Sequence, residues 1–236
     1  MKKIILSVSV LLSAFCVNVS AQHSDEDRVQ GSGKIITKDV PVQGFESLNA
    51  SGVFALELSQ GSSESVKIEG DDNLVDLIEV KNEGNTLKIS MKKGKNFNSK
   101  KSIRVYVSFR NLKSMDLSMV GNTHSSQSLS FTDLKIKNQN VGSLDLNIST
   151  RTLDVENNSV GSIKLTGKAE NAKIENNGVG SIQAGDFLVQ KMDIENNGVG
   201  SATVNAAVEL KVKDTFLGKV TNKGSAPVKK SNRAVI

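Results

Sequence analysis

The sequence is poor in aromatic residues, in cysteine and in proline. Among its 236 residues are no tryptophan, one tyrosine, eight phenylalanines, two prolines and a single cysteine. A hydrophobic core must therefore be built from valine, isoleucine, leucine and small residues, a composition that favours layered β-structure. With 37% hydrophobic and 23% charged residues, the chain is neither wholly disordered nor a multi-pass membrane protein.

The first 21 residues have the pattern of a secretory signal peptide. Lys2 and Lys3 precede an apolar run over residues 4–16, and residues 19–21 (Val-Ser-Ala) provide the small side chains of a cleavage site. The run is shorter than the ~20 residues that a membrane-spanning helix needs. We therefore predict an exported protein with no transmembrane segment, located in the periplasm, at the outer-membrane surface or outside the cell.

Predicted cleavage before Gln22 removes Cys16, the only cysteine, and so excludes disulfides, thiol catalysis and zinc–thiolate sites. A lipoprotein acylated at Cys16 is the less favoured alternative, because Phe15 stands where that cleavage requires a small residue. Loss of the two signal-peptide lysines lowers the net charge from +5 to +3, and this mild charge on an exported chain argues against a nucleic-acid partner. Residues 22–39 are predicted to form a flexible leader.

One hexapeptide recurs along the second half of the chain. Degenerate copies at Val120 and Leu217 bring the number of units to six, spaced by 18 to 21 residues. Each copy lies between alternating apolar and polar runs, the pattern of strand, tight turn and strand. A unit this short cannot bury its own apolar face, which predicts an all-β, single-stranded parallel β-solenoid with one unit per coil. The four clear copies are Asn138–Ser143, Asn157–Ser162, Asn176–Ser181 and Asn196–Ser201.

An antiparallel meander is the alternative, because Asn177-Gly178 and Asn197-Gly198 also suit hairpin turns. The charges favour the solenoid. One outward position alternates in sign from unit to unit, so that stacked coils place opposite charges ~4.8 Å apart. Its residues are Lys135, Asp154, Lys173, Asp193 and Lys211.

A second outward position places three like charges together, an arrangement that costs energy in a solenoid unless the column curves outward or binds a cation. Its residues are Lys137, Glu156, Glu175, Glu195 and Lys213. The asparagines that open the four repeats are predicted to stack as an amide ladder. The glycines of the turns are predicted to take positive φ or to allow close backbone approach.

The region 40–111 is predicted to be less regular β-structure that supplies the first coils and covers the end of the solenoid. Residues 74–78 are predicted to form one short helix, introduced by Asp72 and Asn73. A lysine-rich loop follows, which is either a solvated hairpin loop or a contact for anionic ligands. Its lysines are Lys92, Lys93, Lys95, Lys100 and Lys101.

Three features of the chain form a recognisable pattern: the run from Phe-Glu-Ser-Leu at 45–48 through Gly-Asn-Thr-Leu-Lys-Ile at 84–89, the stretch 112–121, and the repeated Gly-Ser turns. This pattern covers roughly residues 40–224 and resembles the head-GIN domain family of autotransporter adhesins, found in envelope proteins of Bacteroidetes-type bacteria. This chain has Val-Gly-Ser at turns where the family usually has Gly-Ser-Gly. The resemblance implies a β-helical fold, an envelope location and a binding role, and it brings no catalytic residues.

No candidate chemistry assembles from the sequence. His23 and His124 are isolated, and the turn serines have no neighbouring base. The glutamate column has oxygen ligands suited to Ca²⁺ but lacks the nonapeptide of calcium-binding β-rolls. A polysaccharide lyase is disfavoured because no arginine shares the face of Asp154 and Asp193. We therefore expect no catalytic site, no cofactor and no bound metal.

The sequence thus predicts a signal peptide at 1–21, a leader at 22–39, a solenoid domain at 40–224 with regular repeats from 112, and a tail at 225–236. The favoured role is a non-enzymatic adhesin that binds an envelope protein or glycan. Two alternatives remain open, a periplasmic structural or stress-response module that binds other envelope proteins, and a glycan-cleaving enzyme. The predicted binding face comprises Asp154, Glu156, Lys173, Glu175, Asp193 and Glu195.

Overall fold

The structure is a computed structural model, and it describes residues 28–94, 96–215 and 217–230. Within these ranges nearly all regular structure is β-strand, joined by one 3-10 turn at Val75–Leu77. No helix in the described part of the chain is long and apolar enough to cross a membrane. The strands are β1 (Arg28–Gln30), β2 (Ile35–Val40), β3 (Ser47–Val53), β4 (Ala55–Gln60), β5 (Ser65–Asp71), β6 (Ile78–Glu83), β7 (Thr86–Met91), β8 (Asn96–Asn98), β9 (Arg104–Phe109), β10 (Ser114–Val120), β11 (Thr123–Ser125), β12 (Leu129–Asn138), β13 (Leu144–Asn157), β14 (Ile163–Asn176), β15 (Ile182–Asn196), β16 (Ala202–Asp214), β17 (Val220–Asn222) and β18 (Val228–Lys230).

The repeats form a parallel β-solenoid, as predicted, and the antiparallel meander is wrong. Strands β12 to β16 pair in sequence order, each parallel to the next, and equivalent residues of successive repeats are direct partners. Leu153, for example, lies between Leu134 and Ala172, and all three are buried. The apolar positions of the alternating runs are therefore stacked inside the coils, where they form one continuous hydrophobic core.

Glycine is required at the corner of each repeat. Gly161 has φ of +142°, and a Cβ atom there would lie 2.2 Å from the carbonyl oxygen of Gly142 in the preceding coil. Both the positive φ and the close backbone approach exclude larger residues. The equivalent glycines of the neighbouring repeats have the same geometry, so the prediction from the sequence is confirmed.

The asparagine ladder is also confirmed. Asn138 donates from Nδ2 to Oδ1 of Asn157 at 2.7 Å, and Asn157 donates in the same way to Asn176 at 2.6 Å. Asn176 continues the ladder to Asn196, and all four side chains are buried. Because each buried amide has a partner in the next coil, the ladder fixes the corners in register.

The first coils do not stack in the order of the chain. Strand β3 pairs in parallel with β10 on one side and with β7 on the other, and β4 lies in the same way between β11 and β9. The coil formed by β3 and β4 is therefore enclosed by two coils that follow it in sequence. Strands β2, β5 and β6 then pair antiparallel at the outer edges, and they cover the end of the solenoid.

The predicted flexible leader is wrong for its second half. Residues 28–30 form β1, and residues 35–40 form β2, which pairs antiparallel with β5. The buried carboxylate of Asp71 accepts hydrogen bonds from the Gly33 amide and the Ser99 hydroxyl. These contacts order the segment, although its composition is that of a linker. Residues 22–27 and the predicted signal peptide lie outside the described residues.

Three smaller expectations are corrected. The predicted helix is only the 3-10 turn, because the Asn73 side chain is engaged by the amide of Ser32 and the carbonyl of Gln30 and does not cap a helix. The lysine loop is not a simple hairpin, since its centre forms β8 and pairs in parallel with β1. Part of the predicted tail is also structured, because β18 pairs with β16. Residues 231–236 lie outside the described residues.

Candidate binding surface

One long side of the solenoid carries the residues that the sequence singles out. We call it the polar face, defined as the two outward columns of β12 to β16 that precede the asparagine ladder. In the first column Lys173 lies directly between Asp154 and Asp193 on the neighbouring strands. In the second column Glu175 lies between Glu156 and Glu195. The structure therefore brings all six predicted residues together on three adjacent strands.

The polar face is fixed rigidly from behind. Each outward residue is followed or preceded by a buried one, such as Val155 beside Asp154 or Ile174 beside Lys173. Both backbone edges of β13, β14 and β15 are used in parallel pairing. A surface on interior strands changes little when a partner binds, so ordering it costs little entropy.

The three stacked glutamates are held by asparagines two residues further along the chain. The Nδ2 atom of Asn158 lies 3.2 Å from Oε1 of Glu156, and the equivalent distance from Asn177 to Glu175 is also 3.2 Å. At the third rung Asn197 donates to Glu195 at 2.7 Å, and Lys213 donates to the same oxygen at 2.6 Å. Amide donors and a terminal lysine thus offset part of the repulsion within the column.

The predicted possibility of a cation in this column gains no support from the geometry. Over the ranges that the structure describes, no group of three or more His, Cys, Asp or Glu side chains is arranged to hold a metal ion. Each glutamate instead directs an oxygen toward its asparagine, as the distances above show.

The polar face extends further than the sequence indicates. Asp116 of β10 pairs with Lys137, and beyond it Asn49 of β3 and Lys88 of β7 continue the same column. The sequence does not reveal this extension, because these strands lie outside the repeat and stack out of chain order. The alternation within β10 is the one local signal of an outward-facing Asp116.

A shallow groove of about 380 Å³ lies on the polar face. It runs across β13 to β16, over the buried residues Leu153, Ala172 and Met192. Charged side chains line it on several strands, and the predicted residues Asp154, Lys173 and Asp193 are among them. A larger groove of about 760 Å³ adjoins the start of the same face and shares Asp154 with it. These grooves give the face the relief that a specific partner needs.

The lysine loop lies away from these grooves. It follows β7, which is separated from β13 by β3, β10 and β12. Lys92, Lys93, Lys100 and Lys101 are exposed, and Lys95 lies outside the described residues. The loop is therefore several strands away from β13 to β15, which carry the six predicted residues, although the extended column reaches Lys88 on β7 itself.

The sequence analysis missed a third surface at the corner of the repeats. The valine of each repeat points outward, and successive valines form parallel bridges from Val120 to Val199. Val53 pairs with Val120 and extends the column at one end, and Leu217 extends it at the other. Their exposures range from 43% to 61%. We call this column the valine ridge, and its members are Val53, Val120, Val141, Val160, Val179, Val199 and Leu217.

His124, one of the two histidines singled out in the sequence, has a carboxylate and a lysine as its charged neighbours. Nδ1 of His124 lies 4.0 Å from Oδ2 of Asp145, and that carboxylate is also 3.1 Å from Nζ of Lys164. All three side chains lie on an outward face of the solenoid, and the interaction is that of a surface ion pair. His23 lies outside the described residues.

A family model described as "Putative auto-transporter adhesin, head GIN domain" matches residues 44–226, which is most of the chain. The protein belongs to this family. The match confirms the resemblance seen in the sequence, and its boundaries enclose both the irregular first coils and all the repeats. The chain matches no protein that has a curated description.

Solved structures agree with this assignment. A "putative adhesin" from Bacteroides fragilis NCTC 9343 is similar over 86% of this chain and all of its own, with 29% identity and a TM-score of 0.74. A "putative lipid binding protein" from Parabacteroides distasonis ATCC 8503 covers 86% of this chain and 95% of its own, with 20% identity and a TM-score of 0.65. A "putative adhesin" from Parabacteroides merdae ATCC 43184 has 21% identity and a TM-score of 0.52, covering 87% of this chain and all of its own. At their identities, the two Parabacteroides proteins show the shared fold alone.

Proposed function

We propose that this head-GIN protein is an exported, non-enzymatic adhesin of the bacterial envelope that binds a protein or charged glycan through its polar face. The observation that carries the proposal is the alignment of two charged columns on the paired interior strands β13 to β15. The N-terminal signal-peptide pattern supports export, and the family description supports adhesion.

The two columns differ in what they attract. The first alternates in sign, so a partner that meets it must present both charges or neutral hydrogen-bonding groups at the same spacing. The second carries three adjacent carboxylates at Glu156, Glu175 and Glu195, which attract a cationic group. Together they select a partner by charge pattern, and they speed its approach at low ionic strength.

The shallow groove gives this recognition a centre. Lys173 lies in it with Asp154 and Asp193 on either side, and the core residues Ala172 and Met192 lie directly behind it. Charged groups around a partly apolar depression resemble the centre and rim of ordinary protein interfaces. We therefore place the strongest contacts at the rungs of Asp154, Lys173 and Asp193.

The proposal is tested by measuring binding of the purified protein to an immobilised panel of charged glycans and extracellular-matrix proteins. The triple variant Glu156→Gln, Glu175→Gln and Glu195→Gln keeps an acceptor for each asparagine but removes the charge of the second column. We expect binding to at least one panel member, weakened tenfold or more by this variant. Binding that the triple variant leaves unchanged contradicts the assignment of the face.

A matched control removes three negative charges elsewhere. Asp39, Glu170 and Asp186 are exposed and lie off the polar face. Their conversion to Asn, Gln and Asn changes the net charge by the same amount and is expected to leave binding unchanged. Equal losses in both triple variants show a nonspecific charge effect and refute the role of the face.

A further inference from the structure

The valine ridge presents an unusual amount of exposed aliphatic surface in one line. Its seven side chains are each about half exposed, and they lie in register on successive coils. At a coil rise of ~4.8 Å the ridge is roughly 30 Å long. It offers on the order of 500 Å² of aliphatic surface, which is near the upper end of the largest patch that a monomer usually exposes, and such patches are often functional.

The fold itself does not require these aliphatic side chains. The corner is held by the backbone bridges between valines, by the buried asparagine ladder and by the close glycine contacts. The side chain of Val160 points away from all three and is 54% exposed. A polar residue there would keep the same backbone bonds, so the repeated choice of valine concerns the surface.

From Val141 to Val199 the flanks of the ridge are neutral and can pair with copies of themselves, whereas the exposed Lys219 takes the flanking position beside Leu217 at one end. One flank is a column of side-chain amides, at Gln139, Asn158, Asn177 and Asn197, and the other is a column of serine hydroxyls. Ser162 and Ser181 already bond to each other across coils at 3.1 Å. Amides and hydroxyls both donate and accept, whereas a column of one charge repels its own copy. An apolar strip between neutral polar margins has the anatomy of a protein interface.

We propose that the valine ridge is a self-association surface, on which a second copy of this chain docks ridge to ridge. A second copy carries an apolar column of the same period, so each valine fits between two valines of the partner along the whole length. Two ridges of ~500 Å² bury together about 1,000 Å², the lower limit for a specific interface. A weak, concentration-dependent dimer follows, in which the first column of the polar face stays accessible.

The test is sedimentation equilibrium of the purified protein as it is exported, after signal-peptide processing, over a range from about 1 μM to 1 mM. We expect reversible dimers in the wild type and at least tenfold weaker association in the double variant Val160→Lys and Val179→Lys. The matched control Leu188→Lys and Val208→Lys places the same charges at two exposed aliphatic residues off the ridge and is expected to dimerise like the wild type. Thermal melting by circular dichroism checks that each variant is folded.

The isosteric pair Val160→Thr and Val179→Thr provides a second ridge variant with little risk to folding, and it is also expected to weaken association. A wild type that is monomeric up to 1 mM overturns the proposal, as does a dimer that the ridge variants do not weaken. Cosedimentation with phosphatidylcholine vesicles runs in parallel. If a monomeric wild type binds vesicles and the ridge variants do not, the ridge is a lipid contact and self-association is refuted.

Discussion

The like-charged glutamate column predicts that one charge reversal stabilises the protein. Glu175 lies between Glu156 and Glu195, whereas in the neighbouring column Lys173 lies between Asp154 and Asp193. Glu175→Lys therefore turns two repulsive neighbour pairs into attractive ones. Lys173→Glu does the reverse at an adjacent position of the same strand, and it serves as the matched counterpart.

The magnitude follows from the coil spacing. Cross-strand charge pairs ~4.8 Å apart contribute roughly 0.3 kcal/mol each, and reversing one sign changes two pairs from unfavourable to favourable. Glu175→Lys is thus expected to raise the free energy of unfolding by about 1 kcal/mol, and Lys173→Glu to lower it by about the same. For a chain of this size, 1 kcal/mol corresponds to a shift in Tm of about 3 °C. Glu175→Lys also removes the exposed hydrogen bond from Asn177, and this loss reduces the gain.

Thermal and urea unfolding at about 0.05 M and 1 M salt measure the effect. The difference between the two variants is expected to shrink at high salt, where the Debye length falls to ~3 Å. A change in net charge does not explain a stabilisation by Glu175→Lys. The chain already carries +5, and the substitution makes it more positive, which increases the overall repulsion. Equal effects of the two variants, or a difference that salt does not reduce, would refute the stacked-column argument.

Three further predictions concern the supports of the fold. Asn176→Leu leaves the buried Nδ2 of Asn157 without its acceptor and Oδ1 of Asn196 without its donor, and is expected to lower the free energy of unfolding by about 2 to 4 kcal/mol in urea titration. Gly161→Ala, which meets backbone, is expected to destabilise far more than Gly84→Ala, where φ is +56° but nothing lies within 4 Å, as thermal melting would show. The Arg110 guanidinium, hydrogen-bonded to Glu64 at 2.8 Å, lowers the pKa of that carboxyl. This pair therefore stabilises the protein above the ordinary pKa of glutamate, and the advantage of the wild type over Arg110→Ala in urea is expected to vanish as the pH falls through the lowered pKa.

The repeats were predictable because a period in sequence becomes a period in space. Once the hexapeptides are aligned, the partners of Asp154, Lys173 and Asp193 follow from the spacing alone, and the structure has the same register. The outward direction of the repeat valines follows the same rule. Buried and outward residues alternate without a break from Val155 to Val160, so the period of the preceding strand carries through the turn and places Val160 outside.

The first coils contain no repeat, and there the sequence reveals strands but not their partners. The enclosure of β3 between β7 and β10 depends on long-range packing, which no local pattern records. The ordered leader is a similar case. Its composition is that of a linker, and it is held by contacts to Asp71, a residue about forty positions away.

The surface adhesin account is tested most directly by protease treatment of intact cells that express the full chain, with lysed cells as the control that the protein can be cleaved. The account predicts that intact cells lose the protein and, with it, their binding to the panel member found with the purified chain. Cleavage only after the outer membrane is opened would contradict it and make a periplasmic module the better explanation.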